Sequence, residues 1–153
     1  MKKKIFLSLL LIISLFIITG CAGDNGKLSK DGRKIEKFYD LKYIEPKGSA
    51  SDFEGGSDDN KMKNYIFGEY DGSININYQK GKDYSEMENL YYDEHTEKDI
   101  NGTTWRVMNN EDLGVKSTFY YTVYNDNLYI IELNGIDKYK DQFDDFIKNI
   151  SFK

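Results

Sequence analysis

The chain has 153 residues, of which 21 are basic and 26 acidic, for a formal net charge of −5. A single cysteine and a single histidine exclude a disulfide-stapled scaffold and the usual zinc sets, which need several Cys or His ligands. The acidic balance argues against nucleic-acid and anionic-headgroup partners.

Lys2, Lys3 and Lys4 precede an apolar run from Ile5 to Ile18, broken only by Ser8 and Ser14; Thr19 and Gly20 then follow as small residues. This is the layout of a secretory signal peptide over residues 1–20. A spanning helix is the competing reading, but fourteen residues at 1.5 Å each reach about 21 Å, short of the roughly 30 Å hydrocarbon core. The tetrapeptide Ile18-Thr19-Gly20-Cys21 resembles the bacterial lipobox. That resemblance implies that the Cys21 thiol is alkylated with diacylglycerol and that cleavage makes Cys21 the N-terminus and site of lipid attachment. Two acyl chains anchor stably where one is marginal. The expected location is therefore the extracytoplasmic face of the cell membrane, contacted through the Cys21 lipid. Cleavage removes three lysines and no acid, leaving 18 basic against 26 acidic residues, a net charge of −8. Residues 21–33, "CAGDNGKLSKDGR", read as lipidated Cys and flexible tether. Residues 34–153 read as one domain.

Within that domain, 34–44 has β-rich composition and predicts one strand, kinked if anything, closing at Pro46 and Gly48. Small and acidic residues without periodicity predict a loop over 49–60. In 64–81, Ile74, Ile76 and Tyr78 alternate with Asn75 and Asn77, and Asp71-Gly72 suits a type I′ turn, so the segment predicts a hairpin. Residues 83–98 predict a helix, with Ser85 and Glu88 as a capping box and Met87, Leu90 and Tyr91 as a narrow apolar stripe. Asn101-Gly102 predicts a turn into a strand through Trp105 and Val107. Over 115–135 a second hairpin turns at Asn125 to Asn127. It separates Val115, Phe119, Tyr121 and Val123 from Lys116, Thr118, Tyr120, Thr122 and Tyr124 on the opposite face. Tyr139, Phe143, Phe146, Ile147 and Ile150 recur at helical spacing and predict an amphipathic helix packed on a sheet, with a short strand at Ser151-Phe152. The expected class is α+β: an antiparallel sheet of five to seven strands built from hairpins, carrying two helices.

No constellation for catalysis, a cofactor or a metal emerges. His95 sits in polar "YDEHTEK" at an expected helix end, where a solvated imidazole is the simpler reading than a triad base. Asp52, Glu54, Asp58, Asp59 and Asn60 offer oxygen ligands without calcium-loop spacing. Carboxylates are too abundant for any one pair to point to glycoside hydrolysis. The sequons at Asn101 and Asn149 read as chance. Tyr120 and Tyr124 would hold a protein or glycan partner if their face were open, and would be core-facing if a helix covered it.

From residue 34 onward, "FYDLKYIEPKG", "INGTTWRVM" and "YYTVYNDNLYIIELNG…FDDFIKNISF" resemble, in order, the opening strand, the strand after the central helical segment and the closing hairpin–helix–strand of the PsbP-like family. The acidic stretch 49–60, and Ser49-Ala50 where an aromatic often stands, depart from it. The resemblance implies a binding or assembly module without a shared catalytic site. The expected function is a membrane-anchored, non-enzymatic accessory lipoprotein with an envelope protein or glycan as partner. A small envelope hydrolase using an Asp/Glu pair is the alternative, to be favoured by a close carboxylate pair in a deep cleft.

Overall fold

A computed structural model of the chain describes residues 27–90 and 94–152. Cys21, the signal segment and the Tyr91 position of the expected helical stripe lie outside the described residues. Among the described residues ten strands are formed: β1 Ile35–Phe38, β2 Leu41–Ile44, β3 Ala50–Gly56, β4 Asn60–Phe67, β5 Gly72–Lys80, β6 Thr96–Ile100, β7 Thr103–Asp112, β8 Val115–Tyr124, β9 Asn127–Asn134 and β10 Ser151–Phe152. Two helices accompany them, α1 Ser85–Glu88 and α2 Ile136–Lys148. Seven strands make one sheet in the order β3-β4-β5-β9-β8-β7-β6, and β1-β2-β10 make a second. All named strand pairs are antiparallel. The α+β class is as expected, with more strands than expected and in two sheets.

Local chemistry explains the elements that matched. Asn101 (φ 51°) and Gly102 (φ 81°) link β6 to β7, and Asn125 (φ 50°) and Asp126 (φ 60°) link β8 to β9. Both are two-residue turns with two positive φ angles, which suits right-twisted strands. On α2, Tyr139, Phe143, Phe146 and Ile147 are buried, with Ile150 just beyond. They pack with Tyr65, Phe67 and Ile131 of the large sheet in the main core.

Four expectations are corrected. The 34–44 segment is a hairpin, because Tyr39 adopts φ 54° and lets Leu41 pair back onto Phe38. The 49–60 loop contains the edge strand β3, paired to β4 through a bulge between Ser51 and Phe53. Edge strands tolerate charge and glycine because one face of their backbone ladder stays wet, so hydrophobic periodicity was never needed there. The 83–98 helix shrinks to one turn. The Ser85 hydroxyl and amide both bond Asp83 Oδ1, at 2.6 and 2.9 Å, instead of forming a capping box. Leu90 is exposed, and 96–98 belongs to β6. Finally, β4 and β5 are joined by four residues, 68–71, with the left-handed angles at Gly68 and Tyr70 rather than at Asp71-Gly72. Gly72 serves a different purpose: a Cβ there would lie 2.3 Å from the Tyr139 ring.

Among the described residues no helix is long and apolar enough to cross a membrane.

Candidate functional site

The densest ionisable cluster joins the two sheets. Glu36 of β1 accepts hydrogen bonds from Tyr65 Oη (2.8 Å), Tyr43 Oη (3.2 Å) and Lys63 Nζ. The two tyrosine hydroxyls lie 3.1 Å apart, and Lys63 also reaches Glu54 at 3.2 Å. Burial pushes both tyrosines up. Burial also pushes the Glu36 carboxyl up, but the donated bonds from Lys63 and Tyr65 outweigh it and hold the group below its ordinary value. Every member is satisfied by another member, which is the pattern of a fastener between sheets and not of a reactive group awaiting substrate.

A different arrangement stands where α2 begins. A cleft of about 440 Å³ is bounded by Tyr70 and Asp71 of the 68–71 loop, Gly114 of the β7–β8 turn, the ends of β5, β8 and β9 and the first residues of α2. Gly135 makes this junction. It has φ 81°, and a Cβ would lie 2.5 Å from the Asp71 carbonyl oxygen, so only glycine allows β9, α2 and the loop to meet this closely. The floor is a polar row across three strands. The Ser117 hydroxyl donates to Asn134 Oδ1, and Asn134 Nδ2 donates to Ser73 Oγ at 3.1 Å. The charged walls are paired: Asp71 with Lys138 and the Tyr139 hydroxyl, Lys116 with Asp137 at 3.3 Å. Donation from Lys138 and Tyr139 holds the Asp71 carboxyl below its ordinary value.

The rim is apolar and exposed. Tyr70 is 74% and Val115 55% exposed; Tyr70, and Leu113 beside the cleft-lining Gly114, hold left-handed backbone, φ 68° and 51°. Such angles cost an L-residue about 1–2 kcal/mol. Strain of this kind beside a cleft is a functional hint. The chain, by contrast, joins the domain beside the last turns of α2, where Arg33 pairs with Asp145 at 2.7 Å. The cleft therefore lies at the opposite end of α2 from the incoming N-terminal segment.

The residues singled out from sequence fall elsewhere. His95 precedes β6 instead of ending a helix. It lies 3.9 Å from Glu88 Oε1, which also pairs with Arg106; the Arg106 guanidinium stacks on Tyr84 at 3.8 Å. The acidic group 52–60 is dispersed: Glu54 pairs with Lys63 and Asp59 with Lys80 at 3.4 Å. Among the described residues no three His, Cys, Asp or Glu side chains gather as a metal group. Tyr120 and Tyr124 face the covered side. Phe152 stacks on Tyr124 at 4.3 Å, Lys98 lies over Tyr120, and Thr118 and Thr122 are buried. Asn101 Nδ2 donates to the Lys148 and Ile150 carbonyls and Asn149 Nδ2 to Asp145 O, so both sequon side chains bond backbone carbonyls at or just beyond the C-terminal end of α2. Sequence reading missed the cleft residues because three separate hairpin ends and a helix start assemble them. The one local signal was an aromatic in a glycine-bearing loop, "FGEYDG".

The mixed architecture is that of a PsbP-like fold. The chain is similar to the solution structure of cyanobacterial PsbP (CyanoP) from Synechocystis sp. PCC 6803, with a TM-score of 0.55 and 13% identity over 86% of this chain and 100% of that one. A crystal structure from Bacteroides thetaiotaomicron VPI-5482 aligns with a TM-score of 0.49 and 12% identity over 74% of this chain; the chain spans 45% of that protein's length. No protein-family model and no curated protein sequence matches the chain.

Proposed function

We propose that this chain is a lipoprotein, anchored through Cys21 to the extracytoplasmic face of the membrane, whose PsbP-like domain is a non-enzymatic binding or accessory module engaging its partner at the α2 cleft. One observation carries the binding reading. The cleft is open and rimmed by exposed Tyr70 and Val115, while its charged lining groups are already paired with one another. Such a lining offers complementarity and not an activated group. The anchor reading is supported by the placement of the sole cysteine directly after an apolar run and small residues. The hydrolase alternative calls for a carboxyl raised into the range of a general acid; Asp71, in the cleft, is shifted the other way.

Two experiments test this. Cys21→Ala in the native cell should leave the signal uncleaved and the membrane-anchored mature form absent; normal processing and membrane retention would refute the lipid anchor. A photo-crosslinking residue placed at Val115, exposed on the cleft wall, should yield adducts on intact cells that the same residue at Asp126, on the far β8–β9 turn, does not. Equal labelling from both positions, or none from Val115, would refute the cleft as the binding surface.

A further inference from the structure

Resting on the binding-module reading, we infer that the ligand of the α2 cleft is an uncharged oligosaccharide, stacked on Tyr70 and hydrogen-bonded by the Ser73–Asn134 floor. The first ground is electrostatic. In a chain with 31% charged residues, Glu132 is the one charged side chain that β4, β5 and β9 turn to the floor side of the large sheet. The register places Asn64 beside Asn75 and Asn75 beside Glu132, with Ser73 beside Asn134 in the next row. Asn75 Nδ2 donates to Glu132 Oε2 at 2.9 Å. In the cleft itself Lys138 and Lys116 are matched by Asp71 and Asp137. An ionic ligand finds no uncompensated charge there, and an anion would also face the acidic domain as a whole.

The second ground is the donor and acceptor inventory. Asn134 uses one N–H on Ser73 and one oxygen lone pair on Ser117. One N–H, one lone pair and the Ser73 hydroxyl proton are not taken up by these two bonds, and Ser73 and Asn134 both line the cleft. Short alternating donors and acceptors of this kind match adjacent hydroxyls on a sugar ring. A sugar also presents an apolar ring face beside those hydroxyls. Tyr70 supplies the matching surface: the residue is 74% exposed at the lip, and the loop holds it there in left-handed backbone, φ 68°, which an L-residue disfavours. Val115 adds a second apolar contact from the β8 side. The cleft volume, about 440 Å³, lies within the roughly 300–1,000 Å³ of small-molecule sites.

The test uses the full chain purified in detergent from its own membrane and titrated calorimetrically with three neutral tetrasaccharides: of N-acetylglucosamine, of β-linked glucose and of α-linked glucose. At least one should bind saturably. Tyr70→Gly, which removes the ring yet suits φ 68°, should weaken that binding at least fivefold without lowering the thermal midpoint. Asn134→Ser should weaken it at least threefold. Affinity should change less than twofold between 0.05 and 0.5 M salt. Failure of all three sugars to bind, or unchanged binding by Tyr70→Gly, overturns the inference. A tenfold loss of affinity in salt assigns a charged ligand and overturns it equally. The processing assay on Cys21→Ala is independent: sugar binding can fail with anchoring intact, and anchoring can fail with sugar binding intact.

Discussion

Glu36 shows how single residues hold the two sheets in register. Its carboxylate takes three donors from β2 and β4, and charged hydrogen bonds of this sort contribute about 1.5–3 kcal/mol each when a partner is left unpaired. Glu36→Ala should therefore lose about 2–3 kcal/mol in urea unfolding at pH 7. The pH dependence has a definite sign. The folded pKa is depressed below the ordinary 4.5, so this stabilisation is complete above that value and fades as pH falls through the folded pKa. The gap between wild type and Glu36→Gln should narrow on acidification from pH 5 to pH 3; a gap that widened would show the carboxylate to be destabilising. Leu113 makes the opposite case. With Gly114 it forms a two-residue turn between β7 and β8 with φ 51° and 80°, where asparagine is preferred to leucine. Leu113→Asn should stabilise the domain by about 1 kcal/mol, seen as a rise in thermal midpoint. If the exposed leucine serves the cleft, that gain in stability should come with weaker partner capture.

At the level of elements, α2 and the 115–134 hairpin were legible because their signals are local: helical spacing of Tyr139, Phe143, Phe146 and Ile147, strict alternation through Phe119 and Tyr121, and turn residues between. Elements stabilised from outside themselves were not legible. β3 is held by pairing to β4, and its residues are almost all exposed, so no burial pattern marked it. Helix α1 is a single turn; Asp83, not Ser85, takes the free groups at its start, and Leu90, expected on its buried stripe, is exposed. The 34–44 reversal turned on Tyr39, an aromatic in left-handed backbone, stacked on Tyr78 at 3.8 Å; nothing in its neighbours announces that. The candidate site lies wholly in this second category, since its shape depends on how closely α2 can approach the 68–71 loop. Gly135 permits that approach, and it gives a controlled prediction. Gly102 has the same φ of 81° but open space around its missing Cβ. Gly102→Ala should cost about 1–2 kcal/mol, the backbone penalty alone. Gly135→Ala adds a collision with the Asp71 carbonyl and should cost at least about 1 kcal/mol more in the same urea titration. Equal costs would mean that the loop gives way freely and that the cleft is not rigidly framed.

For the whole molecule, the question is what keeps a three-stranded sheet of short strands on a seven-stranded one. β1 and β2 are four residues each and β10 only two, and an isolated hairpin of that size is marginal in water. Besides the Glu36 cluster, the Tyr39–Tyr78 stack and the burial of Phe38, Leu41 and Tyr43 in the shared core, a tie comes from the chain's end. After α2, Ser151 and Phe152 pair with Lys42 and Leu41 of β2. The Phe152 ring stacks on Tyr124 and on Trp105 at 5.6 Å and meets Tyr129 edge-on at 4.8 Å. One side chain thus binds the small sheet to β7, β8 and β9 together. Truncating a well-packed phenylalanine costs about 3–5 kcal/mol in a full core; Phe152 is partly exposed, so about 2–3 kcal/mol is expected for Phe152→Ala. The loss should be uneven across the fold. The amides of β1 and β2 should exchange at least tenfold faster in native-state hydrogen exchange, because their only route to order is docking. The amides of β5 and β9, central strands paired on both sides, should change by no more than the global loss of stability. Uniform acceleration everywhere would mean that the two sheets unfold as one cooperative unit and that the terminal phenylalanine is an ordinary core residue. Selective acceleration would identify the small sheet as a separately releasable layer, lying on the side of the large sheet from which the N-terminal segment arrives.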